Sequence, residues 1–398
     1  MEAKAKIASV GSKQRLSHPT FHLTDINKSE DWLEKGTEGD YPVATRSIPH
    51  GELLPIYKNL NLCGIVLAGG EGMRLQSLIH RLRGDALPKQ FVNFIGTRSM
   101  LEHTFLRAEK LIPSNRIFTA ANWAHLRYPE ARRQISSRPR GSVIVQPGNK
   151  DTGPGVLLPL MHLSKRYPES TVVVFPSDHF IFEEDLFMNH VYAAYRAVEQ
   201  DPSRLVLLGI KPDAPELEYG YMLPGERLKS MASMGVSTIS HFIEKPKRDV
   251  AEGLILRGGL WNTMVMVFRA SALLDLLRRH FPATYRTFQR IKEAIGSPFE
   301  KGVVHESYSG MEPVNFSRDL LEIFARRHRS RFLVLPVRGV FWSDWGSEHR
   351  VMDTLKKIRC PQARFTRGPG AVPEREHLLP GRTAKSEGQN GNLNYMER

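Results

Sequence analysis

Residues 62–74 read LCGIVLAGGEGMR: an unbroken apolar run, then three glycines in four positions, then arginine. An apolar run without polar alternation suits a strand covered on both faces, as in a parallel sheet. Glycines let the backbone turn tightly at the strand's end and present N–H groups outward, a nest that receives anions. The same pattern recurs. Candidate strands Leu62–Ala68, Arg116–Ala120, Ser142–Gln146, Thr171–Phe175, Arg204–Gly209, Val236–Ile243, Met264–Phe268 and Phe332–Val337 alternate with helical periodicity. The helical stretches lie near 99–111, 153–166, 184–200, 247–257, 270–279, 281–295, 318–328 and 346–358. This alternation predicts an α/β domain, with a Rossmann-like, mainly parallel mixed sheet and helices on both faces. Ligands of such sheets sit beyond the carboxyl ends of the strands, so chemistry is sought there.

The chain has 398 residues, 41% of them hydrophobic and 25% charged, which excludes wholesale disorder, collagen and coiled coil. Residues 1–60 and 360–398 are polar or rich in Pro and Gly, and read as poorly ordered extensions around a working body at 61–359. No apolar run approaches the roughly 20 residues a membrane-spanning helix needs, and no signal peptide is apparent. With Cys63 and Cys360 as the only cysteines, a disulfide framework is excluded and a cytoplasmic location is expected. Net charge is +14, densest at Arg326, Arg327, His328, Arg329 and Arg331. That cluster reads as a solvated helix end. In the absence of any nucleic-acid-binding motif, no nucleic-acid partner and no membrane partner are expected. A basic pocket for phosphorylated small molecules explains the charge equally well.

The turn Gly69-Gly70-Glu71-Gly72-Met73-Arg74 lacks the Gly-Lys-[Ser/Thr] of a Walker A loop and the G-x-G-x-x-G of dinucleotide-binding folds. Arg74 adds a planar fork suited to bidentate phosphate contact. Pro88-Lys89-Gln90-Phe91 follows, with a lysine after a rigid proline. Together these segments resemble the sugar-1-phosphate nucleotidyltransferases, especially the mannose-1-phosphate guanylyltransferase branch. Further segments follow in that family's order: Gln146-Pro147-Gly148-Asn149-Lys150-Asp151-Thr152, Pro176-Ser177-Asp178-His179, Tyr219-Gly220-Tyr221, Phe242-Ile243-Glu244-Lys245-Pro246, Trp261-Asn262-Thr263 and Trp342-Ser343-Asp344-Trp345-Gly346.

The resemblance implies the nucleotide-diphospho-sugar transferase fold. It also implies transfer of a nucleotidyl group from an NTP to a sugar 1-phosphate with release of pyrophosphate, GTP and mannose 1-phosphate being the leading pair. It assigns Arg74, Lys89 and Lys245 to the phosphates. Leu67, Ala68, Gly69, Gly70, Gly72, Gln146, Pro147 and Thr152 fall to the nucleotide, and Gly220, Glu244 and Asn262 to the sugar. Asp178 and Asp344 would hold Mg²⁺, the expected cofactor, since magnesium takes one or two carboxylates together with phosphate oxygens. Each aspartate could instead cap a helix. A homo-oligomer is compatible with the sequence, and the cupin-type isomerase domain of bifunctional relatives is not seen, so a monofunctional enzyme is expected.

Several positions depart from the family pattern. Gln146 stands for glutamate, Lys150 for arginine, Asp151 for asparagine, Met73 for Thr or Ser, and Met264 for the glycine after Trp-Asn-Thr. Two rival readings therefore stand: UTP or dTTP with glucose 1-phosphate, or a regulatory nucleotide-sugar binder without turnover.

Overall fold

In a computed structural model, whose described residues are 60–359, the first apolar run forms β1 (Leu62–Ala68), with Leu62, Cys63, Ile65 and Val66 fully excluded from water. Burial raises the pKa of the Cys63 thiol. Cys360 lies outside the described residues, as do the expected extensions apart from Leu60. Ten further strands follow: β2 (Ile117–Asn122), β3 (Val143–Gln146), β4 (Thr171–Pro176), β5 (Phe180–Ile181), β6 (Leu205–Ile210), β7 (Gly220–Arg227), β8 (Ser237–Glu244), β9 (Leu260–Arg269), β10 (Phe332–Val337) and β11 (Trp342–Ser343). Nine of the strands make one sheet in the order β3-β2-β1-β4-β9-β6-β10-β8-β7, and β5 pairs with β11 beside it.

The sheet is mixed, as expected, but antiparallel pairing is more extensive than the sequence suggested. β3, β2, β1 and β4 form a parallel block, and β6 pairs parallel with β10. β9 lies antiparallel between β4 and β6 and begins four residues before the predicted strand. β7, which pairs antiparallel with β8, was not anticipated. Its sequence GYMLPGER carries two glycines and a proline, and register shifts flank Pro224. Proline is tolerated in a sheet only at such bulges and edges, so strand signals are weak there.

Eleven α-helices lie among the described residues: α1 (Gln76–Arg83), α2 (Met100–Glu109), α3 (Pro129–Ser136), α4 (Thr152–Arg166), α5 (Glu184–Gln200), α6 (Arg248–Leu256), α7 (Ala270–His280), α8 (Pro282–Ala294), α9 (Glu300–Ser309), α10 (Glu322–Arg327) and α11 (Glu348–Arg359). The capping box expected of Ser99 and Glu102 opens α2, each group satisfying the other's orphan donor. α4 begins one residue earlier than predicted because the Asp151 carboxylate accepts from the Thr152 N–H. The basic cluster around Arg327 closes α10, as expected of a helix end. No helix among the described residues is long and apolar enough to cross a membrane.

One core runs through the sheet. Val172, Val174, Leu205, Leu207, Met266 and Phe268 pack with Leu157 and Leu160 of α4, Leu273 and Leu277 of α7, and Phe324 of α10. Burying each large aliphatic side chain contributes about 1.5–3 kcal/mol, which fixes the strand ends that carry the site. The chain divides into two units. Met1–Val351 holds the whole sheet; of Met352–Arg398, the described part is the remainder of α11.

Candidate active site

Two adjoining clefts open at the carboxyl ends of β1, β3 and β4. The larger, about 680 Å³, is lined by Leu67 of β1 with Gly69, Gly70 and Gly72 of the turn beyond it, and by Gln146 of β3 with Asp151 and Thr152 beyond it. The smaller, about 250 Å³, is lined by Arg74, Lys89, Asp178, Gly220, Glu244, Asn262 and Asp344. Leu67, Gly70, Gly72 and Thr152 border both, so the clefts share a seam. Of the residues anticipated from sequence, only Ala68 and Pro147 line neither.

The glycine turn is shaped by its own partners. Gly72 adopts a left-handed φ of 62°, and a Cβ there would come within 2.9 Å of the Lys89 side chain. Gln90 donates to the Ala68 and Gly70 carbonyls at 2.9 and 2.8 Å, and Ser177 Oγ donates to the Leu67 carbonyl at 2.6 Å. Three carbonyls of the segment expected at the nucleotide, those of Leu67, Ala68 and Gly70, are thus already engaged, by Ser177 and Gln90, whose part in holding the turn the sequence did not reveal.

Lys89 is buried beneath this turn. Its ammonium sits 2.8 Å from Asp178 Oδ2 and donates to the Asp344 carbonyl at 3.2 Å and the Trp345 carbonyl at 3.4 Å. One cation therefore ties together the two aspartate segments that the sequence predicted would converge. Burial is the largest single influence and would raise the Asp178 pKa, but the Lys89 charge and hydrogen bond, together with the neighbouring His179 and backbone, outweigh it and hold the carboxyl below its ordinary value. Neither aspartate caps a helix: α5 begins at Glu184 and α11 at Glu348.

The Asp344 carboxylate is held from three sides. Tyr219 donates its hydroxyl to Oδ1 at 2.6 Å, the Gly346 N–H donates at 3.0 Å, and Arg350 lies 2.9 and 3.2 Å away through Nε and Nη2. Arg350 also reaches Glu216 at 2.8 Å and stacks over the Tyr219 ring at 4.9 Å. Burial and the Asp344 charge raise the Tyr219 pKa, so the phenol stays a donor. Arg350 was missed in the sequence; its only signal was a cation six residues after Asp344. His179, beside Asp178, is buried against Trp342, and desolvation lowers its pKa to about 4. It is neutral at physiological pH.

β8 ends at Glu244, and Lys245 takes a left-handed φ of 49°. This break in strand geometry sends consecutive side chains to different clefts, Glu244 to the smaller and Lys245 to the larger. Burial, with the charge of Glu322 adding to it, pushes the Glu244 pKa up to about 7, and its Oε2 is buried without a hydrogen-bond partner. Gly220 faces it, and a Cβ there would overlap Glu244 Oε2. Arg74, in the lining of the smaller cleft, and Lys245, in that of the larger, both contact Glu218 Oε2, at 3.3 and 3.1 Å.

Asn262 Oδ1 accepts from the Met264 N–H at 3.0 Å. Met264, where relatives of this pattern carry glycine, has a left-handed φ of 58°, and its sulfur accepts from Ser317 Oγ at 2.8 Å. Ser317 lies in a π-helical segment, Phe316–Leu321, an irregularity common where helices serve a site. In the lining of the larger cleft, Gln146 Oε1 accepts from the Tyr308 hydroxyl at 3.1 Å and Thr152 Oγ1 accepts from the Phe316 N–H at 2.9 Å.

The "Nucleotidyl transferase" family model matches residues 63–359. The chain belongs to the nucleotidyl transferase family. Among its curated relatives, the chain is 29% identical over 297 residues to a xanthan biosynthesis protein, XanB, of Xanthomonas campestris pv. campestris (strain B100), a match covering 74% of the chain and 59% of the relative. It is 26% identical to mannose-1-phosphate guanylyltransferase 2 of Escherichia coli O157:H7, over 75% and 61%. The chain thus spans about three-fifths of the length of these curated relatives. A solved structure described as mannose-1-phosphate geranyltransferase from Thermus thermophilus superposes with a TM-score of 0.62 at 25% identity, over 78% of this chain and 81% of that one. The expected α/β fold of this transferase type is borne out.

Proposed function

We propose that the chain joins an NTP to a sugar 1-phosphate with release of pyrophosphate, the leading pair being GTP and mannose 1-phosphate. The observation that carries this reading is the seam itself. A cleft bordered by a glycine turn adjoins a second, smaller one across the shared Gly70 and Gly72; Arg74, Lys89, Asp178 and Asp344 line the smaller and Lys245 the larger. Joining two polyanions demands that arrangement: the reacting phosphates are held side by side while their charge is neutralised. The names of the curated relatives support the same class.

In this reading the nucleotide lies along the larger cleft, with Gln146 and Thr152 at its base side. Arg74 and Lys89 hold the phosphates that depart as pyrophosphate, and Lys245 holds the sugar phosphate. The buried, unpartnered Glu244 oxygen awaits a sugar hydroxyl, with Asn262 beside it. The sugar phosphate oxygen attacks the α-phosphorus in line, forming the new P–O bond as the bond to pyrophosphate breaks. No protein nucleophile is required.

The donor set fits magnesium. Two carboxylates, Asp178 and Asp344, border one small cleft, and no group of three or more His, Cys, Asp or Glu capable of caging a metal occurs among the described residues. A cation held by two carboxylates and substrate phosphates matches magnesium's habit. When bound, it would neutralise phosphate charge and orient the oxygens.

Pyrophosphate release from a panel of NTPs and sugar 1-phosphates, with Mg²⁺ present, tests the proposal. Turnover with GTP and mannose 1-phosphate supports it. Turnover only with UTP or dTTP and glucose 1-phosphate would replace the substrates while keeping the chemistry, and a silent panel would favour a nucleotide-sugar binder.

A further inference from the structure

Glu218 is absent from the chemistry described so far, yet its position is unusual. A single carboxylate oxygen, Oε2, stands 3.3 Å from Arg74 and 3.1 Å from Lys245, and all three side chains are about half exposed. These are the cations assigned above to different phosphates, Arg74 to the departing pyrophosphate and Lys245 to the sugar phosphate. They approach Glu218 from the two clefts. Without ligand, one internal anion satisfies both anchors.

We propose that Glu218 is a shared counter-ion that couples the two phosphate anchors, so that the first phosphate ligand to bind displaces it and the second binds without that cost. The inference rests on the roles given to Arg74 and Lys245. Its logic is that of linkage. A ligand whose site is occluded in the resting state binds more weakly by the free energy of clearing it. When one clearing event serves two sites, each ligand strengthens the other, equally in both directions. Repulsion between two anionic ligands opposes this, so the quantity to compare is the change in coupling when the carboxylate is removed. Exposed ion pairs are individually weak and two share this carboxylate, so losing it should reduce the coupling by about three- to tenfold, equivalent to about 0.7–1.4 kcal/mol.

The lowered Glu218 pKa agrees with this placement: the Lys245 hydrogen bond holds the carboxyl ionised, and the Arg74 and Arg350 charges assist. Glu218 is thus a positioning residue. It contacts cations that would bind substrate, and after turnover it is placed to reclaim both as the products leave.

The test uses equilibrium binding, free of turnover. Pyrophosphate affinity is measured calorimetrically with and without saturating mannose 1-phosphate, for the full-length chain and for its Glu218→Gln variant, in magnesium buffer. The amide keeps the shape and loses the charge, and circular dichroism checks the fold. The proposal expects Glu218→Gln to bind each ligand alone more tightly, and its coupling factor to fall about three- to tenfold below the parent's. Equal coupling in the two proteins overturns it. So does weaker binding of both single ligands by the variant, because Glu218 would then be ordering the cations instead of competing for them. Binding of neither probe to either protein removes the anchor roles and this inference together. A positive pyrophosphate-release panel with equal coupling removes Glu218 alone, whereas a silent panel with altered coupling removes the activity and leaves the shared counter-ion standing.

Discussion

Lys89 Nζ lies 2.8 Å from Asp178 Oδ2, a pair in which the lysine is 10% and the aspartate 33% exposed at the side chain. Removing one member of such a pair leaves the other charge uncompensated in a low-dielectric setting, which costs about 3–5 kcal/mol in buried cases. Lys89→Met should therefore lower the melting temperature by several degrees and abolish turnover. Asp178→Asn keeps the shape and leaves Lys89 an amide acceptor and its two backbone carbonyls, so it should stay folded at a lowered melting temperature while turnover falls about a thousandfold. Pyrophosphate release and thermal melting measured side by side check both. An Asp178→Asn enzyme with a tenth or more of parental activity would exclude Asp178 from metal binding.

Tyr219→Phe preserves the ring, which packs 4.9 Å from Trp261 and 5.6 Å from Trp342, and deletes only the hydroxyl on Asp344. Groups that orient a ligating carboxylate typically matter about ten- to hundredfold in metal affinity or activity. The Mg²⁺ concentration giving half-maximal activity should rise by about tenfold or more in this variant. An unchanged Mg²⁺ titration would mean that Arg350 and Gly346 hold Asp344 unaided.

Glu244 gives a pH signature. Its pKa is raised to about 7 from an ordinary value of 4.5, so the folded chain keeps a proton that the unfolded chain gives up. The associated stability is complete below about pH 4.5 and is lost as pH climbs through 7, by up to about 3 kcal/mol before solvent screening reduces it. Glu244→Gln cannot ionise. Relative to the parent it should gain several degrees of melting temperature between pH 5 and pH 8. Parallel melting-temperature profiles across that range would show that Glu244 is already ionised at pH 5.

Gly220→Ala would drive a methyl group into Glu244 Oε2 and to 3.3 Å from Asn262 Cβ. Overpacking of this kind costs about 1–3 kcal/mol. The Michaelis constant for the sugar phosphate should rise more than that for the NTP, since both neighbours belong to the smaller cleft. A rise confined to the NTP would assign Gly220 to the nucleotide side.

The parallel block of the sheet was legible because β1 and β4 are continuous apolar runs ending in turns, and those turns carry Arg74 and Asp178. β7 and the start of β9 were not. Both run through glycine, proline or tryptophan at places where the site, more than strand propensity, decides the residue. That Asp178 and Asp344 border one cleft was expected from the family resemblance. The Lys89 bridge between their segments, the Arg350–Glu216 contact and the Glu218 contact could not be anticipated, since each joins segments distant along the chain and leaves no periodic trace. Ala68 was expected at the nucleotide but is buried in β1, paired with Ala121 of β2 and with its carbonyl taken by Gln90. Nothing in the structure explains why Pro147 stands clear of both clefts.

Met264 holds a backbone shape that glycine adopts freely, and does so while walling the smaller cleft. Side chains in that conformation persist only where their surroundings over-determine them, at about 1–3 kcal/mol each. Enlarging a binding pocket usually weakens a protein. Here, trimming the wall to glycine would also release stored strain, so acceptance of a bulkier sugar and a gain in robustness lie in the same direction along the mutational path.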